Sequence, residues 1–115
     1  MSNLKSFIRH LLISCVLAGG ASTSMAQVQT GMLNITSIRT GWSDDTFGVL
    51  TSQPIVNPAG CPTPDAYMTQ IAYAGYKTHY AAALLAHASG KQVQITLHTT
   101  ACFVGRPLII AVQVW

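Results

Sequence analysis

The apolar positions of this chain fall into two rhythms. Leu33 and Ile35 alternate with polar Asn34 and Thr36 before Ile38 breaks the spacing, which predicts a half-buried strand with a bulge near Ser37–Ile38. Phe47, Val49 and Thr51 share a face in a second stretch, Thr46 to Ser52. Tyr67, Thr69 and Ile71 do the same in a third, Ala66 to Ala72. After Gly75 the period lengthens. Tyr76, Tyr80, Ala83, Leu84 and His87 recur at three- and four-residue spacing, and Ala81, Leu85 and Ala88 widen the stripe. This predicts a helix ended by Gly90. Alternation returns over Gln92 to His98, with Val93, Ile95 and Leu97 inward. It returns again over Pro107 to Trp115, with Leu108, Ile110, Val112 and Val114 on one side.

The connections fix how these pieces are arranged. Thr40 to Asp45 is a turn by composition, and Asn57 to Pro64 is a loop because its three prolines remove ladder donors. Thr99 to Arg106 reads as a loop as well. The chain is therefore mainly β with one helix: three strands, a helix, then two strands. That order matches the OB-fold, a five-stranded Greek-key barrel with its helix between strands three and four. The alternative is an open antiparallel sheet with one helix packed across it. In the barrel, strand three runs parallel to strand five, so the loops entering those two strands are neighbours. Cys61 sits in one and Cys102 in the other.

The N-terminal residues change the compartment. Lys5 and Arg9, the apolar run Leu11 to Ala18, and the small residues of Ser24-Met25-Ala26 read as a secretory signal at residues 1–26, cleaved before Gln27. The apolar run is shorter than the roughly 20 residues that span a bilayer, so no stable membrane insertion is expected after cleavage. A lipoprotein reading at Cys15 is weaker, because too few apolar residues precede it. The expectation is a secreted or periplasmic product, a single domain over residues 27–115. Cys61 and Cys102 remain after cleavage, and an even count in an exported small domain predicts a disulfide between them. Free thiols are the alternative; zinc lacks the paired ligand spacing it needs.

Charge limits the partners. The whole chain carries a formal charge of +3. After cleavage, Arg39, Lys77, Lys91 and Arg106 stand against Asp44, Asp45 and Asp65, an excess of one. Scattered cations and few aromatics disfavour nucleic acid. His79 and His87 lie too far apart along a helix to share a metal, and no metal or other cofactor is expected. The chain carries no Walker loop, dinucleotide fingerprint or nucleophile elbow, and its carboxylates are few, so enzyme is the disfavoured class.

Binding is the favoured class. OB barrels take oligosaccharides or oligonucleotides across strands two and three and the loops joining strands one–two and four–five. Here those loops hold Trp42, Asp44 and Asp45, and Thr99, Thr100 and Arg106. A tryptophan beside hydroxyl and carboxylate groups suits stacking on a sugar ring; core packing is its competing role. Tyr76 and Tyr80 share a helix face, with Tyr73 just before it. Either they pack in the core or they form a subunit interface, where tyrosine is enriched. The expectation is an exported non-catalytic module for a glycan or a protein partner. The alternative is a structural or interaction protein of the periplasm or cell surface that assembles as a homo-oligomer.

Asn57-Pro58-Ala59-Gly60-Cys61, Ala83-Leu84-Leu85-Ala86, Ser89-Gly90-Lys91, and Cys102 with Arg106-Pro107 carry a resemblance. Over Gly31 to Val114 the layout resembles small exported bacterial proteins and the B subunits of bacterial A–B toxins, such as the subtilase cytotoxin B subunit. The resemblance implies an OB barrel, glycan binding and a ring-shaped pentamer. It assigns no sugar-contacting residue.

Overall fold

A computed structural model describes residues 27–41 and 44–115. The signal-like segment at residues 1–26, with Cys15, lies outside the described residues, as does Trp42. The elements are β1 (Gln27–Gln29), β2 (Ile35–Thr40), β3 (Thr46–Thr51), β4 (Tyr67–Gln70), α1 (Tyr76–Ser89), β5 (Val93–Phe103) and β6 (Arg106–Val114). The protein is mainly β, with one helix among the described residues. Its strands form one mixed sheet in the order β1-β5-β6-β4-β3-β2. All pairs are antiparallel except β4 with β6, which meet in parallel at Met68 and Leu108.

Two expectations about the architecture are corrected. The sheet is not a closed five-stranded barrel: among the described residues it has six strands, and its edges are β1 and β2. It is not an all-antiparallel open sheet either, because β4 and β6 run together. The break between β1 and β2 has a local cause. Thr30 bonds Ile95 twice, its amide donating to the Ile95 carbonyl and its hydroxyl oxygen accepting the Ile95 amide. The chain then leaves the ladder through Gly31 and Met32 and returns for one bridge, Leu33 with Val93. A single segment thus borders both edges of the sheet. The bulge on β2 falls between Ile35 and Ser37, slightly before the predicted place.

The core is built from the inward face of every long strand. Phe47, Val49, Tyr67, Val93, Ile95, Leu97 and Ile109 are buried with Leu33. The fully buried Tyr67 keeps its hydroxyl satisfied by accepting the Val56 amide at 2.9 Å. Burial raises the pKa of that hydroxyl, and the Val56 amide opposes the shift. The opposite face of β4 and β6 is covered too, since Ala66, Met68 and Leu108 are also buried. Gly48 makes part of this possible: a methyl added there would stand 3.2 Å from Met68 Cγ, so Met68 lies across the bare glycine.

The helix seats its small residues. Tyr76, Ala83 and Ala86 are buried, whereas Leu84 and Leu85 are exposed, which corrects the predicted apolar stripe. Alanines let the helix approach β2 and β6 closely, and the leucines fall about 100° to either side of that seam. Gly90 ends the helix in the left-handed conformation, with φ 68°, and donates its amide to the Ala86 carbonyl.

The predicted loop from Thr99 to Arg106 is the end of a long hairpin. β5 runs to Phe103, swollen by a bulge between Leu97 and Cys102. His98 Nδ1 holds the bulge by accepting the amides of Thr100 and Ala101 at 3.1 and 2.9 Å. The tip is Val104–Gly105, both with positive φ, the form that suits the twist of a two-residue hairpin. Three links pin it to the proline-rich loop. They are the Cys61–Cys102 disulfide, the Thr63 amide on the Gly105 carbonyl, and the ion pair of Asp65 with Arg106.

Candidate functional site

The β2–β3 turn and the first turn of α1 come together at one side of the sheet. Gly41, at φ 81°, starts the turn. Its amide donates to the Thr46 carbonyl, and the Thr46 hydroxyl donates back to the Gly41 carbonyl at 2.6 Å. This pair of bonds ties Gly41 to Thr46, with Asp44 and Asp45 in the turn before it. The Asp45 carbonyl accepts the Ile71 amide, which ties the turn to the end of β4. The Asp45 carboxylate accepts the Tyr76 hydroxyl at 3.1 Å.

Tyr76 and Tyr80 are held from below. Both rings tilt against Phe47, with centroids 5.5 and 5.3 Å away. Tyr76 is 8% exposed, so its ring belongs to the core while its hydroxyl reaches the surface groups. Burial first, then the Asp45 carboxylate, raises the pKa of that hydroxyl, which keeps it a neutral donor. Thr40, Asp45, Tyr76, Lys77 and Tyr80 line a cleft of about 410 Å³. A second cleft, of about 280 Å³, shares Tyr76 and Lys77 and is completed by Ile71, Tyr73, Gly75 and Thr78. One carboxylate, one ammonium, a threonine hydroxyl and two phenols thus converge on a concave wall. Such a set can hydrogen-bond a polyhydroxylated ligand and offer it an aromatic edge.

The other predicted site residues are placed elsewhere. Asp44 is exposed in the turn and does not line the cleft. Thr99 and Thr100 sit on the β5 bulge, away from both clefts. Arg106 is buried and turned toward Asp65. Its Nε donates to Oδ1 at 2.6 Å, its Nη2 to Oδ2 at 3.0 Å, and its Nη1 to the Val104 carbonyl at 2.8 Å. That bidentate pair, with Arg39 at 3.8 Å behind it, holds the Asp65 carboxyl below the usual carboxylate range against some desolvation. The structure therefore joins Asp45 from one predicted loop to Tyr76 and Tyr80, which the sequence had set apart as an interface. Thr40 and Lys77 were missed. Their only signal was position: Thr40 ends a strand at the turn, and Lys77 follows Tyr76 in the first helical turn.

Among the described residues, no group of three or more histidines, cysteines and carboxylates could hold a metal ion. Among them too, no helix is long and apolar enough to cross a membrane. The chain matches no family model, no curated protein and no solved structure.

Proposed function

We propose that this chain is an exported, non-catalytic binding module that takes a glycan at the cleft between the β2–β3 turn and the first turn of α1. The observation that carries this reading is the cleft itself: Thr40, Asp45 and Lys77 line a hollow with Tyr76 and Tyr80, and the Asp45 carboxylate accepts the Tyr76 hydroxyl at its wall. Export is supported by the disulfide, which suits an oxidising compartment, secreted or periplasmic. We also read the sheet as an OB-type Greek key. Support comes from the run β2-β3-β4-β6-β5, the parallel β4–β6 pair, the helix between β4 and β5, and the Leu33–Val93 bridge near the start of β2. The likeness to toxin B subunits stands on the same footing, as analogy of layout.

The test is a glycan array probed with the oxidised, exported chain. Binding is expected, with a loss of about tenfold or more in Asp45→Asn and Lys77→Ala, the scale of one charge-assisted hydrogen bond. Trp42→Ala tests the rest of the turn. An empty array at high protein concentration overturns the glycan reading and leaves a protein partner for the same cleft. A second reading, homo-oligomeric assembly, is favoured by Leu84 and Leu85, which are 45% and 60% exposed on α1. Sedimentation velocity decides it: a monomer at every concentration removes it.

A further inference from the structure

His79 is an ionisable side chain that lines neither cleft but packs against Gly75, which lines the second. It lies one turn into α1, where its amide caps the helix start by donating to the Gly75 carbonyl at 2.8 Å. Its Nε2 is buried and has no hydrogen-bond partner. The ring is pressed against Gly75: a methyl added to that residue would stand 2.6 Å from Nε2 and 2.8 Å from Cε1. Gly75, at φ 79°, is the N-cap of the helix and supplies no side-chain cap. The neutral ring therefore props the corner from which Tyr76 and Lys77 enter the cleft wall.

A second proton on this ring would find only neutral backbone acceptors, at Ala74 and Ile110. The helix start already carries the positive end of the backbone dipole, with Lys77 two residues away and no acidic residue in the first turn. Tyr76 and Tyr80, near it on the helix, bring phenol groups and no carboxylate. Of the strands packed on the helix, β6 brings only Arg106 as an ionisable side chain, and β2 only Arg39; both face Asp65. Asp45 of the β2–β3 turn is engaged by the Tyr76 hydroxyl. Burial accordingly lowers the pKa of His79, and the backbone of Ala74 and Ile110 offsets part of that.

We propose that the first turn of α1 is an acid-sensitive latch on the cleft: protonation of His79 drives its ring from behind Gly75 and releases Tyr76 and Lys77 from the cleft wall. The consequence for binding, ligand release on acidification, rests on the reading of the cleft as a binding site; the opening itself does not. A histidine buried in its neutral form adds stability above its ordinary pKa of about 6.5. It gives that stability up as pH falls through the lower folded value.

The experiment is backbone hydrogen exchange of the unliganded, oxidised chain at about pH 8 and about pH 5, corrected for intrinsic rates. Protection at the His79 and Tyr80 amides, the first bonded within the helix, is expected to fall about tenfold more than at Ala83 to Ser89 in the wild type, and by the same factor at both places in His79→Gln. Equal loss along the whole helix, or the same profile in both proteins, overturns the latch. If His79→Gln does not fold, NMR titration of the wild-type imidazoles decides. A His79 ring that titrates at or above the ordinary histidine value sinks the proposal, and one that titrates below it, together with the first-turn exchange, upholds it. Neither measurement uses a ligand, so an empty glycan array leaves the outcome untouched.

Discussion

At the scale of single residues, backbone conformation and charge make two distinct demands. Val104 is the only described non-glycine residue with positive φ, at 48°, and its β-branched side chain is 53% exposed. Nothing in its packing repays the left-handed conformation. Val104→Asn should therefore stabilise the protein by about 1 kcal/mol, read as a higher thermal midpoint. Asp65 makes the electrostatic demand. Its folded pKa is depressed by Arg106, so its contribution is complete above the ordinary carboxylate value and is lost as pH falls through the folded one. The stability gap between wild type and Asp65→Asn should be constant near neutrality and should close as pH falls below the usual carboxylate range, as measured by urea unfolding across pH. Because the Asp65 side chain is 47% exposed, added salt should shrink the gap as well.

At the scale of elements, periodicity was legible wherever one face alone was buried. Val93, Ile95 and Leu97 alternate cleanly and are all fully buried. The helix ran from Tyr76 to a glycine stop, as its spacing predicted. The signal failed where both faces are covered or where a side chain replaces the ladder. On β6, Leu108 and Ile109 are buried side by side, which alternation cannot express. β1 left no mark, because its one apolar residue stands between two glutamines. Ile71, assigned to a strand face, sits 48% exposed in the turn after β4. The site was half legible for a related reason. Asp45 and the two tyrosines were named, but that they meet depends on a hydrogen bond across 31 residues. The disulfide was legible from cell compartment and count. It closes a separation of 41 residues, so Cys61→Ser with Cys102→Ser should cost about 4 kcal/mol in the chain-entropy model. Calorimetry of the two proteins checks this, and the loss should fall on the hairpin tip and proline-rich loop first.

At the scale of the whole molecule, the order of strands decides where the sheet is vulnerable. β5 is long, and among the described residues its outer side is paired by Gln27, Val28 and Gln29, with Thr30 and Leu33 beyond them. Those three residues act as a guard strip. In a chain beginning at Thr30 the outward amide and carbonyl of Leu97 would lose their cover and become a template for another chain. A truncated product starting at Thr30 is expected to self-associate through β5, seen as soluble aggregates in light scattering, while the longer product stays dispersed. Keeping Gln27 to Gln29 in place would then act as a safeguard against aggregation.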